Sequence, residues 1–181
     1  MDFAYNDEQK EIIKVVRDLV EKEIVPYAAE MDETGKLHEG LLEKLAAQGL
    51  LGVAIPEEFG GAGLDAITIA AIYEELGKGC AGVATTVAAN ALASYPVIIA
   101  GNDDQKKRYF DIINDDNLAA FALTEPGTGS DAGSVSTRAM KTEDGKGYIL
   151  NGTKCFITNG ALAEVFVVFA NTRKSGGIRG L

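Results

Sequence analysis

The pattern of apolar residues changes once along this chain, after Asn117, and this change constrains the fold more than any other feature. Before it, apolar residues such as Ile12, Ile13 and Val16 recur every three or four positions, which is typical of amphipathic helices. After it come short apolar or alternating runs separated by Gly, Asp and Asn, at residues 118–123, 135–140, 148–150, 154–157 and 165–170. The sequence therefore predicts an α+β fold, with an all-α domain at residues 1–116 followed by the beginning of an antiparallel β-domain at residues 117–181.

The composition indicates a globular protein and argues against polyanionic partners. The chain has 181 residues, of which 46% are hydrophobic, and its formal net charge of -10 disfavours nucleic acid and anionic membranes as partners. We expect no membrane span, because no apolar run reaches the roughly 18 residues that a span needs, and no signal peptide is evident. Cys80 and Cys155 form no Cys-x-x-Cys pair and His38 is the only histidine, so neither a disulfide framework nor a His-rich metal site is supported. These features predict a cytoplasmic protein.

A nearly uncharged stretch at residues 81–100 predicts a buried helix. Its many small residues leave room either for neighbouring helices or for a ligand. Two interpretations therefore stay open at this point, a central bundle helix without a ligand and the wall of a pocket. For the second, the candidate substrate-binding residues are Thr86, Asn90 and Tyr95.

Residues 121–130 (FALTEPGTGS) predict a strand that ends in a tight loop with an exposed backbone. Gly127 and Gly129 lack a Cβ, so a ligand can approach the main chain closely, while Thr124, Thr128 and Ser130 offer hydroxyl donors. Such a loop suits a flat, polar-edged cofactor or an anionic one. The alternative is an ordinary turn, because Pro, Gly, Ser and Asp are frequent in turns for reasons unrelated to ligands.

Four motifs, in order along the whole chain, resemble the acyl-CoA dehydrogenase family. They are PEEFGG at residues 56–61, TEPGTGSD at 124–131, LNGTKCFITN at 150–159 and GIRG at 177–180. Within that family the chain is most similar to the short-chain, butyryl-CoA type. The resemblance implies that residues 117–181 are the first part of a barrel-like middle domain. It also implies a longer polypeptide, in which a C-terminal helical bundle follows.

The resemblance further implies a site for FAD along two segments of the chain. Thr124 matches the position that hydrogen-bonds the pyrimidine edge of the isoalloxazine, Thr158 matches the one that hydrogen-bonds N5, and Ser130 matches a contact to the CoA part of the substrate. A donor at N5 suits the chemistry, because it stabilises the charge that develops there. The residues assigned to FAD are Phe121, Ala122, Leu123, Thr124, Gly129, Ser130, Phe156, Ile157 and Thr158.

The reaction implied by the resemblance is α,β-dehydrogenation of a short- or medium-chain acyl-CoA to the trans-2-enoyl-CoA, with electrons passed to an electron-transferring flavoprotein. The catalytic glutamate is expected beyond Leu181, so no acid of this chain is assigned that role, and Glu125 is expected to be structural. The complete protein is expected to be a homo-oligomer, such as a homotetramer. The alternatives are a non-catalytic fragment that serves as an interaction module, and a related acyl-CoA oxidase.

Overall fold

In the computed structural model, which describes residues 4–172 and 179–180, helices form the first part of the chain and strands the second. The predicted α+β order is thus confirmed. The helices are α1 Asp7–Leu19, α2 Ala28–Thr34, α3 Leu41–Ala47, α4 Ala66–Gly79, α5 Ala81–Ala100 and α6 Asp103–Ile113. The strands are β1 Ala119–Ala122, β2 Arg138–Lys141, β3 Tyr148–Asn151, β4 Val165–Ala170 and β5 Arg179–Gly180.

Side-chain caps determine where three of the helices begin. At α1, Asn6 Oδ1 accepts from the Gln9 N–H at 2.8 Å, and Gln9 Oε1 accepts from the Asn6 N–H at 3.1 Å. The same reciprocal pair joins Asn102 and Gln105 at α6, and the Asp65 carboxylate caps α4. These bonds satisfy N–H groups that have no partner inside the helix itself.

The strands form two sheets, one of which differs from the antiparallel prediction. β2 and β3 make an antiparallel hairpin, while β1, β4 and β5 form a sheet in that order. β1 and β4 pair in parallel, with Ala119 opposite Val165, and β4 and β5 pair antiparallel. A parallel pair needs a long connection between its strands, and the hairpin and loops between β1 and β4 provide one. Of the GIRG motif, Arg179 and Gly180 form β5, whereas Gly177 and Ile178 lie outside the described residues.

The predicted strand at residues 154–157 is wrong, and this segment is a loop. The φ angle of Phe156 is 56°, in the left-handed region, which an extended strand excludes. The backbone N–H of Cys155 donates to the carbonyl oxygen of Thr124 at 3.0 Å, so the segment lies against the end of β1. We call residues 154–159 the 154–159 loop.

Helix α5 is the central element of the fold, since it packs against α4 on one side and β1 on the other. Asn90 crosses this junction. Its Oδ1 accepts from the Ala119 N–H at 2.7 Å and its Nδ2 donates to the Asn117 carbonyl at 3.2 Å. These bonds join the helical part to the first strand. The buried residues of α5 are Val83, Thr86, Val87, Ala89, Asn90, Ala91, Ala93 and Ser94.

The same helix corrects the expectation about membrane-spanning segments. Ala81–Ala100 has 20 residues and a mean hydropathy of 1.5, so by length and composition it could cross a membrane. The sequence-based expectation that nothing in the chain was long enough is therefore wrong. A core helix passes the same test, and the polar side chains of Asn90 and Ser94 are fully buried and hydrogen-bonded within the protein.

A buried carboxylate, Glu75, joins α1 to α4. Its side chain is 6% exposed, and it accepts from Arg17 Nη2 at 2.8 Å and from Lys78 Nζ at 2.7 Å. The hydrogen bond from Arg17 outweighs the effect of burial and lowers the pKa of Glu75 to about 2. Because folding lowers this pKa, the ionised carboxylate stabilises the fold fully above its ordinary pKa of 4.5, and the contribution is lost as the pH falls toward 2.

We therefore expect Glu75→Gln to make the free energy of unfolding less dependent on pH between about 4.5 and 2. Urea denaturation at a series of pH values measures this slope. Glu74→Gln is the matched control, because the side chain of Glu74 is 63% exposed and should leave the slope unchanged. A Glu75→Gln profile parallel to that of the wild type would contradict the assignment.

Candidate functional site

An open cavity of about 480 Å³ lies where α4 and α5 meet the end of β1 and the 154–159 loop. Helix α5 supplies one wall, which agrees with the second of the two interpretations that the sequence left open, the wall of a pocket. None of the described residues that line this cavity is charged. They are Tyr73, Thr85, Ala88, Ala89, Ala91, Leu92, Tyr95, Phe121, Leu123, Thr124, Phe156 and Thr158.

Predicted FAD-binding residues from two distant segments meet at this cavity. Phe121, Leu123 and Thr124 come from the end of β1, and Phe156 and Thr158 come from the 154–159 loop. The two segments are held together by the backbone hydrogen bond at the end of β1. The structure therefore creates one site from motifs that lie about 30 residues apart in the sequence.

The turn after β1 is organised around the carboxylate of Glu125, whose side chain is 2% exposed. Its Oε2 accepts from the Ser136 backbone N–H at 2.7 Å and from the Ser136 hydroxyl at 2.5 Å. Its Oε1 accepts from the Thr137 N–H and from Lys154 Nζ, both at 2.9 Å. Lys154 also donates to the carbonyl oxygen of Leu123 at 2.8 Å. This carboxylate thus connects the end of β1 to the 154–159 loop.

The same contacts keep the Glu125 carboxyl ionised. Burial raises its pKa, but the hydrogen bonds from Ser136, Thr137 and Lys154 lower it by more, so the net pKa lies well below the ordinary value. A carboxylate that is already used by four donors is a poor base for a substrate proton. These contacts give Glu125 a structural role.

Asn159 holds the other end of the 154–159 loop. Its Nδ2 donates to the carbonyl oxygens of Thr86 at 3.0 Å and Ala119 at 3.1 Å, on α5 and β1 respectively. Its φ angle is 62°, a left-handed conformation that asparagine adopts more readily than most residues. With Lys154 fixed at the first residue and Asn159 at the last, the position of Thr158 at the cavity is well defined.

Among the residues assigned to FAD, those that line the cavity include two with hydroxyls and one with an exposed aromatic ring. The hydroxyls of Thr124 and Thr158 make no hydrogen bond within the part of the chain that the structure describes, so both can bind a ligand. Phe156 is 92% exposed, and its backbone adopts a strained conformation with a positive φ angle. A flat aromatic ligand would cover this ring, and the hydroxyls would bind polar atoms at the ligand's edge. A flavin fits this arrangement of donors and apolar surface.

Four residues assigned to FAD do not line the cavity. Ala122 is buried with its side chain on the opposite face of β1 from Phe121, as the alternation of a strand requires. Gly129 and Ser130 lie exposed in the turn, and Ile157 lines a second cavity of about 990 Å³. For these four, as for the five residues that line the cavity, the contact to FAD stays a prediction.

Among the substrate-binding candidates, Tyr95 lines the cavity, whereas Thr86 and Asn90 do not. Thr86 faces the second cavity. Asn90 is 0% exposed and its side chain is used by Asn117 and Ala119, so its prediction as a substrate contact is corrected. The reason is the helical period, because residues one turn apart share a face, and the face of α5 that carries Asn90 packs against the core.

Sequence reasoning missed several lining residues. Thr85, Ala88 and Leu92 are spaced by three and four positions and share a helix face with Tyr95. This spacing is the signal that could have identified them. Tyr73 gave no such signal, because it lies on α4 and its contact with the cavity depends on how the two helices pack.

A helical domain is joined to a β-domain, and a flat ligand with polar edges would fit the uncharged cavity at their junction. Two family models that match the chain identify its family. Residues 6–114 match the N-terminal domain of acyl-CoA dehydrogenase, and residues 120–181 match the middle domain of acyl-CoA dehydrogenase. The chain belongs to the acyl-CoA dehydrogenase family, as its motifs predicted.

Similar proteins agree with this membership. The chain is 42% identical to a 3-(aryl)acrylate reductase of Clostridium sporogenes over 96% of its own length and 46% of the relative's. Its structure resembles butyryl-CoA dehydrogenase from Megasphaera elsdenii, with a TM-score of 0.87 and 38% identity over 98% of this chain and 47% of that one. It also resembles an acyl-CoA dehydrogenase from Bacillus anthracis complexed with FAD, with a TM-score of 0.83 and 39% identity over 93% of this chain and 30% of that one. The chain spans about half the length of the curated relatives it matches.

Proposed function

We propose that this chain forms the FAD-binding and acyl-binding half of an enzyme that oxidises a short- or medium-chain acyl-CoA to the trans-2-enoyl-CoA. One observation carries the proposal. Two hydroxyls that have no partner among the described residues, those of Thr124 and Thr158, lie at one uncharged cavity that the exposed ring of Phe156 also lines. The similarity to a butyryl-CoA dehydrogenase and to an FAD complex supports the substrate class and the cofactor.

In this proposal the side chains at the cavity bind and orient the flavin. When bound, FAD would supply the hydride acceptor at N5 of its isoalloxazine. Thr158 would donate its hydroxyl hydrogen to N5, where it stabilises developing charge, and Thr124 would donate to the pyrimidine edge. Phe156 would cover the ring and exclude water from that side. Ser130, exposed in the turn after β1, would contact the CoA part of the substrate.

The uncharged wall formed by α5 suits the acyl chain of the thioester. Alanine at positions 88, 89 and 91 leaves space beside the helix, and the apolar surface favours burial of methylene groups. The described part of this wall supplies no carboxylate that could remove the α-proton. We therefore propose that the catalytic base comes from residues beyond Leu181.

The proposed biological setting follows from the same resemblance. We propose that electrons leave the enzyme to an electron-transferring flavoprotein, that the complete protein is a homo-oligomer, and that it acts in the cytoplasm. The net charge of -10 supports the absence of nucleic acid or anionic membrane among its partners. To test the electron transfer, the FAD-loaded protein is mixed with acyl-CoA and the electron-transferring flavoprotein. Reduction of the flavin is then followed by its absorbance.

We expect Thr158→Ala in the full-length, FAD-loaded enzyme to slow flavin reduction by about 10- to 100-fold, because one hydrogen-bond donor to the developing charge is lost. Binding of butyryl-CoA should weaken much less. Stopped-flow measurement of flavin reduction against substrate concentration separates the two. Thr153→Ala is the control, since this threonine is exposed at the start of the same segment and outside the cavity. Equal losses in rate and binding would contradict a role at N5.

The isolated chain of 181 residues is expected to bind FAD weakly and to have no activity on butyryl-CoA. Its cavity is open to solvent, and Phe156, which lines it, is 92% exposed. A ligand in such a site keeps much of its surface in water, which weakens binding. Fluorescence titration of FAD and a dye-reduction assay test both statements. Turnover by the isolated chain would refute them and the placement of the base beyond Leu181.

The reverse reaction, reduction of an enoyl thioester or acrylate, is a second candidate function. The 42% identical relative is a 3-(aryl)acrylate reductase, and the same donors at the flavin serve hydride transfer in either direction. The preferred direction is measured by comparing rates with an acyl-CoA plus oxidised acceptor and with an enoyl-CoA plus reduced donor. A much higher rate in the second assay would favour the reductase.

A further inference from the structure

One residue that lines the 480 Å³ cavity, Tyr73, has a buried hydroxyl without a hydrogen-bond partner among the described residues. Tyr73 lines the cavity from α4, and its Oη is buried and makes no hydrogen bond in the part of the chain that the structure describes. Burial and, secondarily, the nearby Tyr95 raise the pKa of Tyr73 to about 12, so the phenol stays protonated and can donate. Buried polar groups in folded proteins are nearly always paired. A ligand atom is therefore the expected partner.

The packing of α4 on α5 explains why Tyr73 lines the cavity. A Cβ at Gly77 would lie 4.0 Å from the Ala84 Cβ, so these two positions face each other near the connection between the helices. The helices are joined at Cys80 and run back along each other, so one turn further on Tyr73 and Ala88 face each other. Both line the cavity, and the small alanine leaves the tyrosine ring in contact with its interior.

We propose that Tyr73 determines substrate specificity by donating a hydrogen bond to a neutral oxygen on the distal part of the acyl group. The substrate class would then be acyl-CoA thioesters that carry a hydroxyl or keto group away from the thioester. This inference rests on the proposed function, because it requires that the acyl group occupies this cavity.

The charges around the cavity distinguish this class from acyl groups that end in a carboxylate. None of the described lining residues is a cation, so a buried carboxylate would lose its water without gaining an opposite charge. A plain hydrocarbon end would leave the Tyr73 hydroxyl unpaired. A neutral oxygen accepts the hydrogen bond of the phenol, and its desolvation costs less free energy than that of a carboxylate. Tyr95 is 44% exposed and can bind water instead, so its hydroxyl discriminates less between acyl groups with and without a neutral oxygen.

The test compares matched substrates on the full-length, FAD-loaded enzyme. Butyryl-, hexanoyl- and octanoyl-CoA are each paired with the ω-hydroxy counterpart, which scans the distance from the thioester to the oxygen. We expect at least one ω-hydroxy substrate to exceed its parent in kcat/KM by about tenfold in the wild type. Tyr73→Phe should remove this advantage, so that the ω-hydroxy substrate and its parent have similar kcat/KM values.

Tyr148→Phe is the matched control, because this tyrosine is 45% exposed on β3 and outside the cavity. It should keep the wild-type preference. The inference is overturned if the wild type prefers the parent at every length, or if the advantage of an ω-hydroxy substrate persists in Tyr73→Phe. Failure of the proposed function looks different, because then neither member of any pair would reduce the flavin.

Discussion

Glu125→Ala is expected to lower the free energy of unfolding by about 3–5 kcal/mol, the usual cost of removing one partner from a buried ion pair. The substitution leaves Lys154 Nζ, at 2.9 Å from the carboxylate in the wild type, without its charged partner. It also leaves the N–H groups of Ser136 and Thr137 without an acceptor in a buried site. Urea denaturation followed by circular dichroism measures the change.

Two further variants distinguish loss of these contacts from a general effect of removing an acid. Glu143 is exposed, so Glu143→Ala should change the free energy of unfolding by less than about 0.5 kcal/mol. The double variant Glu125→Leu with Lys154→Met removes both charges and should be more stable than Glu125→Ala. If Glu125→Ala is as stable as Glu143→Ala, the turn does not depend on this carboxylate.

The residues that could be predicted from the sequence are those whose structure depends on near neighbours. Asn6 caps α1 through Gln9, which is only three positions away, so this contact depends on local sequence alone. The runs that became β1, β2, β3 and β4 have strand-forming residues between turn residues. Thr124 and Thr158, which both line the cavity, were assigned to FAD from the resemblance, because it supplies positions that local patterns do not. Their contacts to the flavin stay a prediction.

The predictions that were wrong or missing share a different cause. They concern residues whose structure depends on contacts with residues far apart in the chain. Residues 154–157 have a strand-like composition, but the hydrogen bond from Cys155 to Thr124 and the left-handed φ of Phe156 make them a loop. Asn90 was placed at the ligand because α5 is apolar nearly all round, so the sequence did not show which face meets β1. Tyr73 was missed for the same reason, since only the packing of α4 on α5 brings this residue to the cavity.

Asn159→Ala is the second substitution expected to have a large effect, with a loss of about 3 kcal/mol in the free energy of unfolding. Two buried carbonyl oxygens, those of Thr86 and Ala119, lose their donor, which costs about 1–3 kcal/mol. Alanine at a φ angle of 62° adds roughly 1–2 kcal/mol of backbone strain. Thr158 is the preceding residue, so we also expect weaker FAD binding by the full-length protein.

Asn159→Gly separates the two contributions. Glycine removes the same side-chain hydrogen bonds but adopts a positive φ without strain, so this variant should be more stable than Asn159→Ala by about 1 kcal/mol. Parallel urea titrations measure the difference, and flavin fluorescence reports retention of FAD by each variant. Equal stabilities for the two variants would mean that the loop relaxes away from its left-handed conformation. Thr158 would then be positioned by Lys154 at the other end of the loop, and loss of FAD should follow Lys154→Met more closely than Asn159→Ala.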